Sequence, residues 1–146
     1  MGESRFQILV VEDAEPDVLL VQEALERAGL TFELQVLDDG EKAIEFIEQL
    51  ERDQTSAPPH LVLLDLNLPR MNGGRVLDRL RQSTTCGQIP VVILTSSDSP
   101  SDKAQVGQLR ATQYFRKPSR LNEFMRLGEV VRDLLGEPNV RSQLAG

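Results

Sequence analysis

Four places in the chain set a polar or charged side chain directly after a short run of strand-forming residues. Glu12 and Asp13 follow Phe6 to Val11, Asp65 follows Leu61 to Leu64, Thr95 and Ser96 follow Val91 to Leu94, and Lys117 follows Thr112 to Arg116. Three carboxylates brought together repel, and each tends to hold its proton unless a cation neutralises the group. Their hard oxygens suit Mg²⁺, which takes near-octahedral oxygen ligands and keeps several waters. On this reading Asp13 and Asp65 are direct ligands, a backbone carbonyl at Asn67 is a third, and Glu12 acts through water. Lys117 adds a compact positive charge and Thr95 a hydroxyl donor, so that the set forms a socket for a dianion. No Gly-rich nucleotide loop follows the first or third run, because the required glycines and lysine are missing there. A socket without a nucleotide cradle, built around a carboxylate, points to that carboxylate as the nucleophile. Asp65 would attack a phosphoryl group carried by a partner, with metal and Lys117 neutralising its equatorial oxygens, to give an acyl phosphate. Read alone, Asp65 could equally open a turn with Asn67 and Pro69; it is the several complementary run ends together that favour a site.

Residues this far apart in sequence meet only if the runs are parallel strands ending on one rim. Leu61 to Leu64 offer no polar side chain to water, which describes a central strand covered on both faces. The remaining pattern alternates strands with helices. Phe6 to Val11 is followed by a helix opening at Ala14-Glu15-Pro16-Asp17, where a first-turn proline and acids suit the macrodipole. Phe32 to Leu37 precedes a helix capped by Asp38-Asp39 and striped by Ala43, Ile44, Phe46, Ile47 and Leu50. Asn72-Gly73 starts a third helix, and Ser99-Pro100 cap a fourth that runs to about Leu109. Thr112 to Arg116 is more polar, as an edge strand would be. Ser119 is suited to cap a last helix running to about Leu135. Strands and helices alternating in this way predict an α/β fold with a doubly wound five-stranded parallel sheet of order 2-1-3-4-5, its reversal lying between the first and third strands.

At 146 residues the chain is expected to form one domain, with a core over about residues 6–136 and a loose tail over 137–146. A net charge of -7 and a pI near 4.8 argue against nucleic acid as a partner. No apolar stretch approaches the roughly 20 residues that span a bilayer, so no membrane partner is expected. The lone Cys86 cannot form an internal disulfide, which together with the absence of a leader pattern suggests a cytoplasmic setting. Cys86, in a polar loop, reads as a free thiol, and His60 as a solvated or capping histidine.

The segments Val11-Glu12-Asp13, Leu63-Leu64-Asp65-Leu66-Asn67-Leu68-Pro69, Leu94-Thr95-Ser96 and Tyr114-Phe115-Arg116-Lys117-Pro118 together resemble the receiver domain of a two-component response regulator, of the chemotaxis-regulator-like kind with a flavodoxin-like fold. The wording around Asp13 and Asp65 is most similar to the stand-alone regulators associated with bacterial phytochrome kinases. The resemblance implies a phosphoacceptor, Asp65, rather than an enzyme with a turned-over substrate. It implies a sensor histidine kinase as phosphoryl donor, with a bacteriophytochrome suggested by the subfamily wording; a switch through Thr95 and Tyr114; and a cis bond at Lys117-Pro118. Two positions depart from the family's habit. Arg110-Ala111 stands where a Gly-Ala pair is common, and Ser119 stands where an apolar residue often follows Lys-Pro.

In the last helix, Leu121, Phe124, Met125, Gly128, Val131 and Leu135 form a core face, while Leu127, Val130 and Leu134 extend the apolar arc beyond what docking needs. That arc predicts a homodimer through the fourth helix, fifth strand and last helix. Two alternatives stand beside the receiver reading. A haloacid-dehalogenase-like phosphatase shares the aspartyl phosphate, metal, hydroxyl and lysine, but needs an Asp where Asn67 stands. A pseudo-receiver would bind partners without phosphorylation.

Overall fold

Alternation along three central strands decides where the helices lie. The computed structural model describes residues 5–53 and 55–136. Strands β1 (Phe6–Val11), β2 (Phe32–Leu37), β3 (Leu61–Asp65), β4 (Val91–Thr95) and β5 (Gln113–Arg116) pair in parallel in the order β2-β1-β3-β4-β5. In β3 and β4 every residue is buried, and in β1 the last four are. Leu9, Val11, Val62, Leu64, Val91 and Ile93 face one layer, made by helices α2 (Gly40–Arg52), α3 (Gly73–Gln82) and α4 (Pro100–Gln108). Their neighbours Ile8, Val10, Leu61, Leu63, Val92 and Leu94 face α1 (Glu15–Arg27) and the C-terminal helices α5 (Leu121–Phe124) and α6 (Arg126–Leu135). Successive side chains of a strand point to opposite faces, so apolar residues at every position require both layers. β2 and β5 sit at the edges and are only partly buried, as their polar residues predict.

Helix starts follow the capping residues in three cases. Asp39 accepts a hydrogen bond from the Lys42 N–H (2.8 Å), Asn72 from Gly74 (2.6 Å) and Ser99 from Asp102 (3.3 Å). α1 is different: its N-cap, Ala14, has no capping side chain, and Pro16 stands in the first turn.

The C-terminal helix departs from its predicted outline. It is two segments broken at Met125, where the Gly128 N–H bonds back three residues to the Met125 carbonyl (3.1 Å) and tightens the turn. Arg120, not Ser119, occupies the N-cap position of the first segment, and no side chain caps it. The residues that face inward also differ from those expected. Leu127 lies in the core with Phe124 and Val131, Val130 and Leu134 pack against that core, and Leu121 is left 50% exposed. Gly128 is the contact point with α1: a Cβ there would collide with the Ala24 carbonyl oxygen. The apolar surface expected to drive dimerisation is thus largely used within the protomer. The predicted tail over 137–146 lies outside the described residues.

One further expectation is corrected, and two residues are placed more closely. Cys86 is fully buried in the α2/α3 core, since the loop's polar Ser83 turns inward to accept hydrogen bonds from the Thr85 and Cys86 N–H groups (3.2 and 3.1 Å). No cis peptide bond occurs among the described residues, so Lys117-Pro118 is trans, the isomer that X–Pro bonds favour by about 0.5–1 kcal/mol. His60 is exposed and caps a backbone group, as expected: its Nδ1 accepts a hydrogen bond from the Gln7 N–H (2.9 Å), and its ring meets Phe6 edge-on.

Arg110, where the family commonly has glycine, ends α4 with φ 68°. The Ala111 N–H reaches the Val106 carbonyl (2.9 Å) around it, closing the helix end in the way a left-handed residue permits. Arg81 Nε donates to the Arg110 carbonyl (3.0 Å) and holds the strained turn in place. Arg110→Gly is expected to raise unfolding stability by about 0.5–1 kcal/mol, because relief of the left-handed strain exceeds the added chain entropy. Urea melts of the two proteins check this; an unchanged or lower midpoint would show that the turn is not strained.

Candidate functional site

The parallel register carries the polar strand ends to one rim. Val11 pairs with Leu64, Asp65 with Leu94 and Thr95 with Arg116, so Glu12, Asp65, Thr95 and Lys117 terminate four neighbouring strands. Backbone bonds extend this order past the strands. The Glu12 N–H donates to the Leu37 carbonyl (3.0 Å) and the Lys117 N–H to the Thr95 carbonyl (2.7 Å). α3 begins hard against the end of β3, where the Gly73 N–H bonds to the Leu66 carbonyl (2.9 Å). A Cβ on Gly73 would strike the Asp65 carbonyl oxygen, so glycine is what allows the helix to start there.

Lys117 reaches from the edge of the sheet across the rim to the carboxylates. Its Nζ lies 2.6 Å from Glu12 Oε2, 2.7 Å from Asp17 Oδ2 and 3.2 Å from Asp65 Oδ2. An ammonium has three protons, and here three carboxylates accept them. Glu12 is 1% exposed and Asp65 is buried. The other oxygen of Asp65 accepts a hydrogen bond from the Asn67 N–H (3.1 Å), which turns the chain after β3. The other oxygen of Glu12 accepts from the Ala14 N–H (3.1 Å). Asp17 is the member of this cluster that the sequence reading missed. It had a sufficient local explanation as a first-turn acid on α1.

Burial sets the proton affinities. For Glu12 it is the largest effect, outweighing the hydrogen bond from Lys117 and pushing the carboxyl up to about 7; Asp65 beside it adds to the rise. For Lys117, burial alone would favour the neutral amine. Hydrogen bonds to Asp17 and Glu12, with the negative charges of Asp65 and Glu12, overcome this and hold it above the ordinary lysine range.

Glu12, Asp13 and Asp65 each bring one oxygen within 4.8 Å of the others, with Asp13 exposed to solvent. A group of hard, closely spaced carboxylate oxygens with one solvent-facing member fits a divalent cation that keeps some of its water. Thr95 is fully buried beside this group, and its hydroxyl oxygen accepts from the Ser97 N–H (3.1 Å). Tyr114, one strand over, donates its hydroxyl to the Ser97 carbonyl (2.8 Å) and lies under the Lys103 ammonium, 5.5 Å from the ring centre. Thr95 and Tyr114 therefore hold opposite ends of one residue in the loop between β4 and α4. Of the residues singled out in the sequence, Glu12, Asp13, Asp65 and Lys117 come together, while Thr95 and Tyr114 meet at Ser97. Asn67 stands beside Asp65 through its N–H.

The high proton affinity of Glu12 has a sign that melts can read. Between pH 4.5 and about 7 the folded protein keeps a proton that the unfolded chain releases, so raising the pH favours unfolding. In metal-free buffer, wild-type stability is expected to fall across this window relative to Glu12→Gln, whose profile lacks that component. Parallel profiles for the two proteins would contradict a raised proton affinity of Glu12 in the folded protein.

Comparison with known proteins agrees with this architecture. Residues 8–127 match the response regulator receiver domain family. Response regulator Rcp1 of Synechocystis sp. is 38% identical over 120 residues, which cover 82% of this chain and 82% of that protein. The phosphorylated cyanobacterial phytochrome response regulator RcpA superposes with a TM-score of 0.80 at 30% identity, covering 90% of this chain and 94% of that one. The Mn(2+)-bound form of Rcp1 gives 0.77 at 35% identity over 87% and 91%. With the five-stranded parallel sheet in the order given above and a family match over most of its length, the chain belongs to the response regulator receiver family.

Proposed function

We propose that Asp65 accepts a phosphoryl group from a sensor histidine kinase and that the modified protein signals through the surface formed by α4, β5 and the C-terminal helices α5 and α6. The observation that carries this reading is the convergence of Lys117 Nζ on Asp65 and Glu12, beside the oxygens of Asp13. The reaction exchanges one phosphorus bond for another. An Asp65 carboxylate oxygen attacks the phosphorus of a phosphohistidine, the O–P bond forms as the P–N bond breaks, and the imidazole nitrogen keeps the electron pair. Lys117 stands ready to neutralise the phosphoryl oxygens, and Thr95 has a hydroxyl at the neighbouring strand end. A Mg²⁺ held by Asp13, Asp65 and the Asn67 carbonyl, with Glu12 acting through water, would supply further positive charge for the developing oxyanions.

Phosphorylation replaces the singly charged Asp65 carboxylate by an acyl phosphate carrying roughly -1.5 to -2 charges, spread over three phosphoryl oxygens beside Thr95. If Thr95 turns its hydroxyl to the new group, its bond to the Ser97 N–H is given up, and the Ser97 carbonyl that anchors Tyr114 is then free to shift. This couples the acceptor to the β5 edge through a loop with two arrangements, biased by how well each fits the phosphoryl group. The relatives named for phytochrome regulation support a phytochrome-type kinase as donor. A homodimer through α4, β5 and the C-terminal helices α5 and α6 belongs to the same reading, although only a modest apolar surface centred on Leu121 of α5 remains exposed there. In sedimentation, a concentration-independent monomer with and without phosphorylation would remove the dimer.

Family membership sets aside the phosphatase alternative; Asn67 also lacks the acid that such chemistry needs. The phosphoacceptor reading is tested by phosphotransfer from radiolabelled histidine kinases, a phytochrome-type kinase among them, with Asp65→Asn as control. Wild type should take up stoichiometric label with Mg²⁺ and the variant essentially none. Equal labelling of both would overturn the assignment of Asp65, and no labelling of either would favour a binding module that works unphosphorylated.

A further inference from the structure

We propose that Asp17 is a positioning residue for Lys117: it is the resting counter-ion that an arriving phosphoryl group must displace. This rests on the reading of Asp65 as phosphoacceptor. Asp17 lies in the third helical position of α1, where an acidic side chain would ordinarily turn back to the helix N-terminus. In this protein that local role is already filled, since the Ala14 N–H is satisfied by Glu12 Oε1 (3.1 Å). Asp17 instead points across to the rim and takes a proton of Lys117 at 2.7 Å, half an ångström closer than Asp65 does at 3.2 Å.

The three carboxylates around Nζ are not equivalent. Glu12 is sealed from solvent and the Asp65 side chain is 7% exposed, whereas the Asp17 side chain is 29% exposed. All three protons of the ammonium are engaged, so a phosphoryl oxygen on Asp65 can be bonded only if one acceptor lets go. Release costs least where water can solvate the freed carboxylate, and Asp17 is that place. It therefore opposes phosphorylation by holding Lys117 in a competing ion pair. It also neutralises the ammonium in the resting state, so that a divalent cation at Glu12, Asp13 and Asp65 meets less repulsion from Lys117.

These two effects have opposite signs, which separates this role from a purely structural one. For Asp17→Asn, titration with Mg²⁺ alone, followed by NMR or calorimetry, should show metal affinity reduced roughly three- to tenfold. Phosphorylation by phosphoramidate at saturating Mg²⁺ should show a limiting rate raised by a similar factor. Asp17→Glu keeps a carboxylate within reach of Lys117 and should lie nearer to wild type in both measurements. A thermal melt confirms that each variant is folded. An Asp17→Asn protein with unchanged metal affinity and unchanged limiting rate, or with a lowered limiting rate, overturns the proposal. If wild type itself accepts no phosphoryl group, the phosphoacceptor reading fails instead, and the titration with Mg²⁺ alone still decides whether Asp17 restrains the charge of Lys117.

Discussion

A single ammonium group organises the rim of this protein. Glu12 and Asp17, at the junction of β1 and α1, and Asp65, at the end of β3, would repel one another if Lys117 did not stand between them. Water can solvate Asp17 but hardly Glu12, so the buried carboxyl either keeps its proton or keeps the lysine. One positive charge cannot balance Glu12, Asp13, Asp17 and Asp65 when all are ionised. The site is thus short of positive charge before anything binds, a condition that favours a divalent cation and prepares the lysine for a dianion.

The sheet makes this charge imbalance possible by bringing distant residues to one edge. Parallel pairing aligns the strand ends, continuous apolar residues require helices on both faces, and the helices leave only the rim open. Close approaches hold the geometry. Gly73 lets α3 start against the last residue of β3, and Gly128 lets the C-terminal helix lie on α1, which carries Asp17. The same α1 turn is tied to Glu12 through Ala14, so the segment from residue 12 to residue 17 behaves as one bonded unit beside Lys117. On the other side, Ser97 links Thr95 to Tyr114 through its own N–H and carbonyl. The acceptor is thereby connected both to its counter-ions and to the surface that would report its state.

Much of this was legible in the chain itself, because the signals were local and mutually consistent. Leu61 to Leu64 and Val91 to Leu94 have no polar side chain, so their central place and the strand order followed. Asp65 and Lys117 stood out because charge interrupts apolar runs where parallel strands end. What escaped notice depended on contacts that sequence spacing does not carry. Asp17 looked fully explained by its helix start, and nothing nearby indicates that it turns toward a lysine 100 residues away. Leu127 lies on the buried stripe with Phe124, Gly128 and Val131, whereas Leu121 opens the first segment and stays half exposed. The polar loop around Cys86 gave no sign of its burial, yet Ser83 turns inward to its neighbours' N–H groups and the free thiol lies in the core. Arg110 showed that the loop can keep a left-handed helix end without glycine when a second arginine bonds to its carbonyl.

The dependence of the rim on Lys117 can be measured without any phosphoryl donor. Unfolding of wild type and Lys117→Met should be compared in chelator and again in excess Mg²⁺. If the ammonium holds the carboxylates together, the variant is less stable by about 1–3 kcal/mol in chelator, and most of the gap closes when the divalent ion supplies the missing charge. A variant as stable as wild type in chelator, or one that Mg²⁺ does not restore, would contradict the account.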